Sequence, residues 1–260
     1  MPTHPAALVS PEATVHPSVV IGPFAIIEEG VVIAEGCSIA ATAQILKGTK
    51  IGADCEIGPG TVIGGAPQVR GFDQAISSGV SIGDRCVIRE HCTIHRSATE
   101  GGQTILGDDN MLMVGCHLGH DCIVGNFNTM ANGCAFGGHA IVANHCFFGG
   151  GSMFHQFVRI GSYVMTQGHS GISQDLPPYT IGAKINEVSG VNAVGLSRGG
   201  FTPATRKAIK DAFVAVYRGS TPLKELLESA RTHPQLPEVQ AFYDFLAGDS
   251  KKGLCIRLRH

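Results

Sequence analysis

Charge is scarce in this 260-residue chain. Charged residues make up 15%, and the formal net charge is −2, so no broad basic field for nucleic acid is implied. No apolar run approaches the roughly 18 residues that a membrane-spanning helix needs, so no transmembrane segment is expected. The N-terminal stretch lacks the charged-then-apolar layout of a secretory signal, and a cytoplasmic protein is the expectation. No two cysteines are spaced Cys-x-x-Cys, which argues against a thiolate metal site. What the chain has in quantity is apolar side chains, 43%, and 35 glycines. That is enough to bury a core, in a composition that forms helices poorly and suits tight, repeated turns.

From Leu106 an apolar residue returns at every sixth position: Leu112, Leu118, Val124, Met130, Phe136, Val142, Phe148, Phe154, Ile160 and, after Thr166, Ile172. Thr166 alone breaks the run. The same rhythm opens the chain at Val9, Val15, Ile21, Ile27, Ile33, Ile39, Ile45, Ile51, Ile57 and Ile63. A period of six fits neither an α-helix nor a single strand. It fits an all-β solenoid, a parallel β-helix in which each hexapeptide is a short strand plus a turn. Three hexads then make a coil of about 18 residues, stacked about 4.8 Å from the next. Gly, Pro, Asp and Glu crowd the positions after each leader, as in Ile51-Gly52-Ala53-Asp54, and supply the corners.

Cys37, Cys55, Cys86, Cys92, Cys116, Cys122, Cys134 and Cys146 each stand four residues after a leader. Elsewhere that slot holds Ala, Val, Thr or Ser. It reads as an inward, small-residue position in which a reduced thiol acts as a small hydrophobe. The rhythm lapses over about 65–81 and again over 97–104, which reads as two loops thrown out of the coil, where solenoids often carry their sites. The β-helix is therefore assigned to 1–184, with Ile181-Gly182 as its last corner. An irregular connecting segment is assigned to 185–201, and a small α-helical C-terminal domain to 202–260. There Thr202-Pro203 starts one helix, Thr221-Pro222 a second, and a third fits Glu238 to Leu246. This domain is expected to cover the open strand edges at one end of the coil.

The histidines are not spread evenly. His91, His95, His117, His120, His139, His145, His155 and His169 lie in the central coils. Leu118, Phe136 and Phe154 are 18 apart and so share one face. His120, His139 and His155 follow them by two, three and one residues and should line one edge, with His117 at the adjoining corner. A neutral imidazole can take a proton from a hydroxyl, and the adjacent Asp121 can fix its tautomer. Backbone N–H groups at Gly137-Gly138 can approach an oxyanion. With no serine nucleophile motif present, direct attack by a substrate hydroxyl is the simplest chemistry.

These motifs carry a resemblance: Thr93-Ile-His-Arg96, His117-Leu-Gly-His-Asp121, Gly137-Gly-His139, Phe154-His-Gln-Phe157, Gln174-Asp-Leu-Pro-Pro-Tyr179 and Arg198-Gly-Gly-Phe201. In their order the chain resembles the acyl-carrier-protein-dependent UDP-N-acetylglucosamine O-acyltransferases, which begin lipid A synthesis. The resemblance runs over nearly the whole length. It implies a left-handed β-helix in a homotrimer with sites between subunits, acyl-carrier protein as donor partner, a UDP-sugar acceptor, and no cofactor or metal. It implies His120 as general base, Asp121 as its assistant and the Gly138 amide as oxyanion donor. His117, His139, His155 and Gln156 match residues that hold the substrate or acyl chain, and Asn192 and Arg198 match part of the nucleotide set. Met165, Gln167, Gly168 and His169 fall where the family's acyl-chain ruler sits. In the first loop, where many members read Gln-Asp-Leu-Lys, this chain reads Gln68-Val69-Arg70-Gly71, leaving Gln68 and Arg70 as the candidate contacts.

Three other readings are compatible with the residues. The same base could serve a 3-amino sugar nucleotide and give an amide. Several histidines on one edge could hold zinc, as in a β-helical lyase of the carbonic-anhydrase kind. A thinned nucleotide set, with Val194 and Gly199 where many members carry Glu and Arg, would suit a non-catalytic binder. Arg206, Lys207 and Lys210, beside Arg198, are candidates for steering an acidic carrier protein.

Overall fold

The structure, a computed structural model, describes residues 3–255 and 257–258; residues 1, 2, 256, 259 and 260 of the assigned domains lie outside them. Strands mostly two residues long form three sheets, of nine, eight and eleven strands, parallel throughout except for one antiparallel pair at the end of the third. Consecutive strands visit the sheets in rotation, so a strand pairs with the third strand after it. The first sheet runs from Leu8–Val9 to Gly171–Ile172, the second from Thr14–Val15 to Arg159–Ile160, and the third from Val20–Ile21 through Met165–Thr166 to the tail.

Register follows the leaders. Leu118 pairs with Phe136, Phe136 with Phe154 and Phe154 with Ile172. The ladder continues across both loops, Ile63 pairing with Ile94 and Ile94 with Leu118. The loops are shorter than the lapses in rhythm: Gly79–Ile82 and Gln103–Leu106 are strands of the second sheet, paired with each other. Their apolar pattern is masked in the text by Gly79, Ser81, Gln103 and Thr104.

Leaders and small-residue slots fill the interior. Phe136 stacks on Phe154 with ring centroids 4.2 Å apart, and Phe148 meets both edge-on. Thr166 is fully buried, its hydroxyl accepting from the Gly149 N–H at 3.2 Å. The cysteines are free, buried thiols. Their S–H groups donate to carbonyls of the next coil, as from Cys37 to Gly52 at 3.0 Å and Cys86 to Gly107 at 3.0 Å.

After Pro178 the structure departs from expectation. Ile181-Gly182 is not a corner; it lies within strand Thr180–Ala183, parallel to Met165–Thr166. The segment after it is not irregular. Lys184 and Asn186 take positive φ, and strand Glu187–Val191 returns antiparallel along Thr180–Ala183. One short helix, α1 (Ala193–Arg198), follows, capped by the Asn192 side chain. Three more helices complete the tail: α2 (Pro203–Arg218), α3 (Leu223–Thr232) and α4 (Pro237–Ala247). The Thr202 hydroxyl caps α2 as expected. Thr221 does not cap α3, because Pro222 holds the cap position and makes no side-chain bond. Asp175, fully buried, fastens the tail: it accepts from the Arg159 Nε–H at 2.7 Å, and the Arg159 guanidinium lies over the Phe245 ring of α4.

Candidate active site

The site grows from one corner of the coil. Three residues after the first-sheet leaders Ile27, Ile45, Leu118, Phe136 and Phe154 the chain turns into the second sheet with left-handed backbone. Near the N-terminus that slot holds Gly30 and Gly48, for which positive φ is free of steric cost. In the central coils it holds Asp121 (φ 61), His139 (φ 60) and Phe157 (φ 67). Side chains rarely sit there. Hydrogen bonds between coils hold them: Asp121 N–H to Thr104 Oγ1 at 2.8 Å, His139 N–H to the His120 carbonyl at 2.9 Å, and Phe157 N–H to the Gly138 carbonyl at 3.0 Å. Side chains, two of them polar, are thus stacked in left-handed backbone where Gly30 and Gly48 stand in earlier coils.

Asp121 is the centre of the resulting network. The His120 Nδ1–H donates to its Oδ2 at 2.7 Å. The Ala98 N–H donates to the same oxygen at 3.1 Å, and the Ser97 hydroxyl donates to Oδ1. His139 Nε2 lies 3.7 Å from Oδ2 and its ring meets that of His120 edge-on, 5.1 Å between centroids. Burial works against the Asp121 charge, but the bonds from Ser97, His120 and Ala98 outweigh it and hold the carboxyl below its usual range. His139 is pushed down, chiefly by burial, and stacks on Phe157 at 4.6 Å.

A cleft of about 350 Å³ opens beside His120. Gln68, His95, His117, Gly119, Gly138 and Gln156 line it, with His155 and Phe154 on the next coil. Gly138 has to be glycine, since a Cβ there would lie 2.6 Å from His120 Nε2. This puts Nε2, the nitrogen not engaged with Asp121, next to the Gly138 backbone. The Gly138 N–H makes no hydrogen bond among the described residues. His117 accepts or donates through Nδ1 to Thr93 Oγ1 at 2.7 Å, and burial lowers its basicity.

His95 belongs to this cleft, although sequence reasoning did not place it in the site. Its ring meets His117 edge-on at 4.9 Å, its Nδ1 is buried without a partner among the described residues, and burial followed by the neighbouring His117 and His120 pushes it down to about 4. The signal was present: His95 directly follows leader Ile94, as His155 follows Phe154. Ser97 and Thr104, which hold Asp121, were also missed; they lie at the margins of a loop whose path the rhythm does not give.

Other predicted residues lie elsewhere. Arg70 is exposed on the first loop and does not line the cleft. Asn192, Arg198 and Met165 line a second cleft of about 660 Å³ against the third sheet, with Phe147, Tyr163 and Val191. Asn192 is committed at both ends of its amide, accepting from Gly195 N–H at 2.9 Å and donating to the Tyr163 carbonyl at 2.9 Å. Gln167, Gly168 and His169 form the corner from the third sheet into the first, where His169 takes φ 56. One chain therefore does not bring His120 together with Asn192, Arg198 and Met165. Among the described residues His120, Asp121 and His139 could together hold a metal ion, their donor atoms lying within 4.8 Å of one another. The 2.7 Å separation of His120 Nδ1 and Asp121 Oδ2 is that of a hydrogen bond.

Known proteins match both halves of this description. A family model for domain 2 of UDP-N-acetylglucosamine O-acyltransferase matches residues 175–255, and one for bacterial transferase hexapeptides matches 12–47 and 32–65. The UDP-N-acetylglucosamine acyltransferase of Francisella novicida is 31% identical over 99% of this chain and 94% of its own, with a TM-score of 0.93. That of Bacteroides fragilis is 36% identical over 95% of this chain and 99% of its own, TM-score 0.85. The Arabidopsis enzyme is 30% identical over 95% and 100%, TM-score 0.82. Identity at this level over the coil and the tail together goes beyond a shared repeat: the chain belongs to the UDP-N-acetylglucosamine O-acyltransferase family and has its left-handed β-helix with a helical C-terminal domain.

Proposed function

We propose that this protein moves a 3-hydroxyacyl or similar acyl chain from acyl-carrier protein to the 3-position of UDP-N-acetylglucosamine, the first step of lipid A synthesis. The observation that carries the mechanism is the His120–Asp121 pair beside Gly138. Asp121 holds His120 as the Nδ1–H tautomer and leaves Nε2 to accept the sugar 3-hydroxyl proton. The freed oxygen attacks the thioester carbonyl, and the Gly138 N–H takes the oxyanion. Collapse breaks the C–S bond, and the departing thiolate takes the proton back from His120. No cofactor enters this scheme. His117, His155, Gln156 and Gln68 are assigned to holding substrate, and Met165, Gln167, Gly168 and His169 to limiting acyl length.

Because Asn192, Arg198 and Met165 lie on another face of the same chain, the scheme calls for a neighbouring copy. A homotrimer fits the outward apolar row Ile105, Ile123 and Ile141 on the second sheet, 38%, 46% and 46% exposed, which water would otherwise meet. No helix among the described residues is long and apolar enough to cross a membrane, and a carrier-protein donor suits the cytoplasm. Arg206, Lys207, Lys210 and Arg218 line a cleft on α2 suited to an acidic carrier. The decisive experiment is a product mass measurement with purified protein, acyl-carrier-protein thioesters of several lengths, and UDP-N-acetylglucosamine or its 3-amino analogue. An ester product supports the reading; an amide product alone assigns the amino sugar; no acylated sugar overturns it. The donor set of His120, Asp121 and His139 favours one second reading, a zinc enzyme, which stoichiometric zinc on the purified protein would support.

A further inference from the structure

Ser97 occupies the same corner slot as Asp121, one coil earlier: it stands three residues after leader Ile94, and Ile94 pairs with Leu118. It is fully buried, and its hydroxyl donates to Asp121 Oδ1 while the next residue, Ala98, donates its N–H to Oδ2. The hydroxyl has a second acceptor in reach, the Thr99 carbonyl at 3.4 Å, but the bond to an ionised carboxylate is the stronger of the two. The loop is shaped to keep it there. The Thr99 N–H donates to Ser97 Oγ at 3.0 Å, and a Cβ at Gly102 would lie 2.3 Å from that oxygen. Glycine at 102 therefore leaves the space the hydroxyl occupies; Gly102 does not take positive φ, so the backbone itself does not require it.

We infer that Ser97 is a positioning residue: it holds Oδ1 while Ala98 holds Oδ2, and together they fix the plane of the Asp121 carboxylate so that Oδ2 stays aimed at His120 Nδ1. This rests on His120 acting as the base. Without Ser97 a carboxylate at a solvent-facing corner can turn about its last torsion, and the imidazole loses its fixed tautomer without losing any group that touches substrate. The second loop, in this view, is there to anchor Asp121, and its effect on catalysis passes through Asp121 to His120.

The test uses the full-length protein, with Ser97→Ala and, as a variant that retains the hydroxyl but displaces it, Gly102→Ala. Two readouts are taken: steady-state kinetics, and the low-field proton NMR resonance of His120 Nδ1–H, assigned by its loss in Asp121→Asn. The expected result is that both variants lower kcat by roughly 10- to 100-fold, the worth of one hydrogen bond to a charged group, leave KM for the sugar nucleotide unchanged, and move or broaden the resonance. A wild-type resonance in both variants overturns the proposal, and so does a fall in kcat/KM carried by KM. If the wild-type protein transfers no acyl group, the base assignment fails, while the resonance still decides whether Ser97 orders the pair.

Discussion

The coils before residue 64 and those between 93 and 160 share a backbone and differ in what stands on it. Both place leaders inside with strict register, Ile27 over Ile45 in one and Leu118 under Phe136 in the other. At the first corner the early coils place glycine, Gly30 and Gly48, in left-handed backbone, while the central coils place Asp121, His139 and Phe157 there. At this corner the early coils show the repeat in its relaxed form, although their other corners hold Phe24, Thr42 and Asp54 in left-handed backbone. In the central coils the same slot holds side chains against a steric preference: Asp121 and His139 in the polar network, and Phe157 stacked on His139. Stability is distributed along the leaders; the polar groups of the candidate site are concentrated at one corner.

That contrast can be broken most directly at His120, the proposed base. His120→Ala should lower kcat by about 10² to 10⁴ with the melting temperature little changed, since His120 contributes no leader contact; a fall of less than tenfold would remove the assigned role. The converse is Ile57→Ala in an early coil, where Ile57 is 2% exposed. It should cost about 2–5 kcal/mol of unfolding free energy in urea titration while the folded fraction keeps wild-type kcat. Altered turnover there would mean the two regions are coupled.

A smaller effect is expected from pH. His95 is held by burial, and by His117 and His120, at about 4 against an ordinary 6.5. The unfolded chain then binds the proton first, so stability at neutral pH is lost as pH falls from about 6.5 toward 4. Thermal melts across that window should show the decline, with a shallower slope in His95→Gln; equal slopes would show that His95 is readily protonated in place. The smallest effect is expected at Thr166, the polar leader. Thr166→Val keeps the volume and the backbone bond from the Gly149 N–H to the residue 166 carbonyl, and removes the hydroxyl that shares that N–H and meets Ser152 Oγ at 3.3 Å; chemical denaturation should show a loss of about 1 kcal/mol. A gain in stability would show that the slot asks only for apolar volume.

The coil was legible because its signal is redundant. Each leader repeats a requirement stated 18 residues earlier, so Thr166 or the change from Ile45 to Phe136 does not obscure it. The His120–Asp121 pair was legible because the two are adjacent in the chain and their corner could be counted from Leu118. The return strand Glu187–Val191 was not, since an antiparallel pairing obeys no hexad and Ser189-Gly190 reads as loop. Nor was α1, a six-residue helix containing Gly195 whose cap Asn192 follows a strand without a break. Ser97 escaped because its partner lies 24 residues on, a spacing that includes a loop rather than a whole coil.

The thiol column has a practical consequence. Because the cysteines are sealed inside successive turns, from Cys37 near the start to Cys146 past the middle, an alkylating reagent reaches each one only when its own turn opens. The order in which they are modified under mild denaturant would record, sulfur by sulfur, from which end the solenoid unwinds.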